Sequence, residues 1–105
     1  MTDTLSEAER DALDAAAFRR LLSHLDANKE VQNIDLMILA DFCRNCLGDW
    51  WMEAAQERGL DISKDQARER VYGMPYSEWK EKHQKPATDE QMAAFKARQA
   101  AKEKT

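Results

Sequence analysis

Glycine and proline are scarce in this chain, three and two residues in 105, and the glycines are not grouped. No Gly-rich loop is therefore present to cradle a phosphate, and no long linker divides the chain. No apolar run approaches the roughly 20 residues that a membrane-spanning helix needs. The opening, MTDTLSEAER, is acidic and polar, which does not fit a secretory signal. Positive charge is not in excess either: 16 Lys and Arg face 20 Asp and Glu, a net charge of −4. Nucleic acid favours basic faces, so it is not the expected partner. Only two cysteines occur, three positions apart, which is too few and too close for a disulfide framework. No repeat and no convincing strand pattern is found. What these absences leave is one cytoplasmic helical domain spanning 1–105, with its core in about 5–84 and a tail in 85–105.

The chain is organised around Ile34 to Arg58, which holds both cysteines and two of the three tryptophans. Apolar and small residues recur at Leu36, Leu39, Ala40, Cys43, Cys46, Leu47, Trp50 and Ala54, and these share one face of a helix. A thinner set, Ile34, Ile38 and Phe42, lies on another side. The spacing predicts one long central helix, apolar on more than one face, with Asn33 as its N-cap and Gly59 just past its end. Gly48 is its weak point, and marks a bend or a close approach of another backbone.

Around it the pattern predicts an all-α fold of four main helices plus a C-terminal tail helix. Ser6 and Glu9 form a capping box opening the first helix, which fades near Ala27 and Asn28. The connector NKEVQ is short enough to set the first two helices antiparallel as a hairpin. Ser63 with Gln66 opens another helix, which ends at Gly73, and Pro75 turns the chain into the next, Tyr76 to about His83. Thr88 with Gln91 opens the tail, which has only Met92, Phe95 and alanines to bury.

Three constellations can carry chemistry. Cys43 and Cys46 form a CxxC, a pattern used for zinc and for thiol exchange. Placed in mid-helix with no second pair, it reads first as buried packing, since free cysteine packs as a small hydrophobe. Asp41, Asn45 and Asp49 form a ladder four residues apart on a polar face that also carries Arg44 and Gly48. That ladder suits a hard cation, and Arg44 suits an anion; the alternative is a solvated face or a helix–helix interface. Tyr72, Tyr76 and Trp79 suit a ligand pocket, or else a satellite core closing a helix corner. No catalytic triad order is visible, and no cofactor can be named from the sequence.

The runs VQNIDLMILADFCRNCLGDWW and ARERVYGMPYSEWKEKHQ resemble a family of roughly hundred-residue bacterial proteins, the domain of unknown function 1244. The resemblance covers about Leu21 to Gln84. It implies a compact all-helical domain with no established activity and no assigned catalytic residues. Together the readings lead to a small non-enzymatic binding protein, expected to form a homodimer through its first and central helices and open to another protein partner. A metal- or small-ligand-binding protein, with an enzyme not ruled out, is the alternative, through Cys43 and Cys46 or the Asp41, Asn45 and Asp49 face.

Overall fold

The computed structural model describes residues 4–103. Within them lie six helices and no strand: α1 Glu7–Ala27, α2 Asn33–Ala40, α3 Arg44–Glu57, α4 Lys64–Tyr72, α5 Tyr76–His83 and α6 Asp89–Glu103. The all-α class holds. The arrangement of four helices plus a tail does not, because the long central helix is two helices, α2 and α3. No helix among the described residues is long and apolar enough to cross a membrane.

The helix starts follow local side-chain chemistry. Ser6 Oγ accepts from the Glu9 N–H at 3.1 Å, and Glu9 returns a bond to the Ser6 N–H at 2.9 Å. Ser63 with Gln66 and Thr88 with Gln91 repeat this reciprocal pair at α4 and α6. At α2 the cap falls on Gln32, one residue before the expected Asn33, and the Asp35 carboxylate accepts from the Gln32 N–H at 2.9 Å. The α3 end is a Schellman motif. The Leu60 N–H reaches Ala55 O, the Gly59 N–H reaches Gln56 O, and Gly59 takes a φ of 73°.

The core is built from Leu22 of α1, Leu47 of α3, Val71 and Tyr72 of α4 and Trp79 of α5. The closest helix packing is α3 on α4. Gly48 and Ala67 meet there: a Cβ added at Gly48 would lie 3.6 Å from the backbone of Ala67, an ordinary contact. Gly48 thus sits against another backbone, with room for a methyl group. Helix α1 packs on α4, not along α2 as the expected hairpin requires. Only its second half contributes, through Leu22, Phe18 and Leu25, and Leu13 is 57 % exposed. The tail helix α6 docks on α2, tied by Gln91 to Asp35 at 2.8 Å and by Lys102 to Asp41 at 2.8 Å.

Candidate functional site

The chain breaks at Asp41. Its backbone sits in the left-handed region at φ 60°, ψ 30°, and its N–H closes α2 on Met37 O. Aspartate is one of the few non-glycine residues that visits this region readily, because its short polar side chain can bond locally. Asp41 then ion-pairs with Lys102, whose hydrogen bond and charge hold its carboxyl below the usual range. Phe42 and an extended Cys43 (φ −143°, ψ −175°) lead into α3, with Cys43 as N-cap.

This break corrects two expectations. The Asp41–Asn45–Asp49 ladder is not a helical ladder, because Asp41 lies off the helix that carries Asn45 and Asp49. The CxxC is not in mid-helix either: Cys43 caps α3 and Cys46 is its third residue. The buried stripe of α3 also lies one position beyond the expected one. Arg44, Leu47, Gly48 and Ala55 are buried, whereas Trp50 is 52 % exposed.

Arg44 is thus inside the protein, 3 % exposed. Its Nη1 donates to Val31 O at 2.7 Å and Asn33 Oδ1 at 3.1 Å. Its Nη2 donates to Asn28 O at 3.1 Å and Leu25 O at 3.4 Å. The guanidinium lies 5.1 Å from the centre of the Trp79 ring. All four acceptors are neutral. They gather the C-terminal end of α1, where the helix dipole is negative, and the connector that follows. Burial lowers the Arg44 pKa, and a guanidinium stays charged regardless.

Asn33 extends this network. Its Nδ2 donates to Tyr72 Oη at 3.0 Å, and that hydroxyl donates to Asn45 Oδ1 at 2.8 Å. Burial pushes the Tyr72 pKa well up, partly opposed by the Asn33 bond. Tyr72 and Trp79 are core residues with ring centres 4.8 Å apart. Tyr76 is half-buried beside them, 5.1 Å from Tyr72, with Arg68 over its ring at 4.8 Å. A cavity of about 270 Å³, of mixed polar and apolar lining, opens where Asn33, Asn45, Tyr76 and Gln84 meet Lys85 and Pro86. Asp49 has one carboxylate oxygen buried without a protein partner.

Both cysteines are free, Cys43 buried and Cys46 half-buried. Burial pushes the Cys43 thiol up, and the amides of Cys46 and Asn45 pull it down by less. Among the described residues no group of three or more His, Cys, Asp or Glu is placed to hold a metal ion. Among the described residues the two cysteines thus have no third ligand beside them.

Sequence reasoning missed Gln32. It is buried, and its amide bonds His83 O at 3.1 Å and accepts from the Lys85 N–H at 2.8 Å, fixing the start of the tail to α2. No local signal marks it, because both partners lie some fifty residues away. Phe42, packed against the core, stacks on the exposed Trp50 at 6.1 Å, and Leu39 of α2 is 76 % exposed.

The model of one protein family, described as a protein of unknown function (DUF1244), matches residues 31–97. The match spans α2 to α5 and the first half of α6 and omits α1. No curated protein matches the chain.

Proposed function

The chain belongs to this family of proteins of unknown function, DUF1244, and from that premise we propose that it is a small non-enzymatic binding protein acting as a homodimer. The contact would run through α1 and the corner between α2 and α3. The observation behind this reading is the apolar surface left on those elements. Leu39, Trp50 and Leu13 are each more than half exposed, and Leu21 is 37 % exposed. Apolar surface left exposed on a soluble protein marks interaction sites where it is contiguous. A two-fold dimer buries the same patch on both copies. A standard interface takes about 800 Å² from each partner, roughly a tenth of the chain's 7712 Å². A cytoplasmic setting belongs to the same reading, since two free thiols stay reduced there.

Native mass spectrometry of the untagged protein, prepared without chelators, tests the proposal. A dimer mass that reverts to one chain in Trp50→Ala and Leu39→Glu supports it. A single-chain mass at micromolar concentration refutes it.

A second reading, binding of a small polar ligand, is favoured by the cavity bounded by Asn33, Asn45 and Tyr76. A retained small molecule in the same spectrum, lost in Asn45→Ala, would move the weight to that site. A stoichiometric metal would instead point to Cys43 and Cys46.

A further inference from the structure

Independently of the dimer, we propose that Cys43 and Cys46 form a dithiol site that exchanges with disulfides, Cys46 attacking and Cys43 resolving. The juxtaposition that carries this is the pair at the N-cap and third position of α3. In a continuous helix these thiols would have been ordinary core residues. The break at Asp41 instead brings Cys43 in extended, as the N-cap of α3.

The N-cap and third positions of a helix face each other. The capping boxes of this molecule show the reach, with Ser6 Oγ 3.1 Å from the Glu9 amide and Ser63 Oγ 3.1 Å from that of Gln66. At α3 both positions carry sulfur, Cys43 at the N-cap and Cys46 at the third residue. The turn between them is clamped. Arg44 is locked by its four acceptors, and Leu47 is in the core. Two thiols held together in this way close a disulfide with little loss of chain freedom.

Burial opposes a thiolate at Cys43, and the end of the helix works against that burial. The first turn of α3 carries no carboxylate to compete for the positive end of the helix. Arg44, next in the chain to Cys43, is a buried cation whose four hydrogen-bond acceptors are all neutral. An anion at Cys43 would join Glu30 and Asp26 among the negative charges that act on it. The order of events follows from exposure, because Cys46 is half-buried and Cys43 is buried.

The step balances as a dithiol–disulfide exchange. Cys46 Sγ, as thiolate, attacks one sulfur of a small disulfide RSSR. The S–S bond breaks, RS⁻ leaves and takes a proton from water, and a mixed disulfide remains on Cys46. Cys43 then loses its proton to solvent, with Arg44 and the helix N-terminus favouring its thiolate, and attacks Cys46 Sγ. A second RS⁻ leaves and is protonated. The pair is oxidised by two electrons to a Cys43–Cys46 disulfide, and RSSR is reduced to two RSH. Transient disulfides of this kind are compatible with a reducing compartment.

The test uses full-length reduced protein and oxidised glutathione, with acid quenching, alkylation and peptide mapping by mass spectrometry. The expected result is loss of both alkylatable thiols together, through a transient glutathione adduct on Cys46. Cys43→Ser should trap that adduct. Cys46→Ser should slow adduct formation by about a hundredfold, since the buried Cys43 then reacts only through local opening. First adduct formation on Cys43 overturns the proposal. So does oxidation that requires global unfolding, seen as a steep urea dependence. Should Cys43→Ser fail to fold, the wild-type adduct map decides the order by itself. The reactions are run across chain concentrations. Exchange that slows as the chain associates is consistent with the site lying beside the dimer face. Exchange absent at every dilution overturns the dithiol proposal and leaves the dimer reading standing.

Discussion

Replacing Arg44 tests the internal architecture most directly, because one side chain joins α1, the connector, α2 and α5. Consider Arg44→Met and Arg44→Lys. Methionine fills similar volume and removes the charge, so the penalty for burying a cation, several kcal/mol, disappears with it. Left behind without a donor is Val31 O, which Arg44 Nη1 holds at 2.7 Å. Asn28 O, Leu25 O and Asn33 Oδ1 keep backbone donors, the N–H groups of Val31, Asn28 and Arg44. An unsatisfied buried acceptor costs about 1–3 kcal/mol, before the relief from removing the charge. A net loss of about 1–2 kcal/mol is expected, against a total stability on the order of 5–15 kcal/mol for a chain of this length. Lysine keeps the buried charge and its desolvation penalty, yet a single ammonium cannot span acceptors arranged for a fork. Arg44→Lys should therefore be at least as destabilising as Arg44→Met. Urea unfolding followed by circular dichroism measures both, with the midpoint falling and the slope unchanged. Hydrogen exchange should show lost protection at the C-terminal turn of α1. If Arg44→Lys stays within about 0.5 kcal/mol of wild type, charge alone suffices and the fork argument is wrong.

Other perturbations read single features. Gly48→Ala should stabilise by about 0.5–1 kcal/mol in the same urea assay, because the new Cβ meets the Ala67 backbone at an ordinary 3.6 Å and helix propensity improves. A loss would mean that α3 and α4 are closer than described. Tyr72→Phe should cost about 1–3 kcal/mol by stranding the Asn33 and Asn45 amides it joins. The raised Tyr72 pKa has a signed consequence too: below pH 10 it does not affect stability. Above the ordinary value of 10.0 the unfolded phenol ionises first, and stability falls as pH rises. Tyr72→Phe should remove that part of the alkaline loss. For Asp41 the sign reverses, because its folded pKa is depressed. Its contribution is present above the ordinary carboxyl value of 3.8 and is lost as pH falls through the lower folded value. Asp41→Asn should speed hydrogen exchange in α6 at neutral pH and low salt, and should match wild type in strong acid. Equal exchange at neutral pH would show that Lys102 does not hold the tail.

The sequence by itself determined the features that arise within a few residues. The three capping boxes, the glycine stops at Gly59 and Gly73 and the restart at Pro75 all appear where spacing places them. Each is a contact between near neighbours, so no distant partner is needed to form it. Helical class and the central weight of 34–58 were legible for the same reason. The division of that segment was not. A continuous apolar pattern does not show that Asp41 turns left-handed, because aspartate does so only when surrounding contacts favour it, here the Lys102 pair and the docking of α6. The second apolar stripe, at Ile34 and Ile38, was the readable hint. It belongs to a separate helix with its own axis. Tertiary structure alone decided that Arg44 goes inside and Trp50 stays largely outside, a change of about one position in the buried face. An arginine can be buried only where several acceptors converge, and the four around Arg44 come from 25, 28, 31 and 33, brought together by the fold. The placement of the cysteines at the start of α3 follows from the same break. Their chemistry therefore rests on a tertiary contact, although the CxxC itself is plain in the sequence.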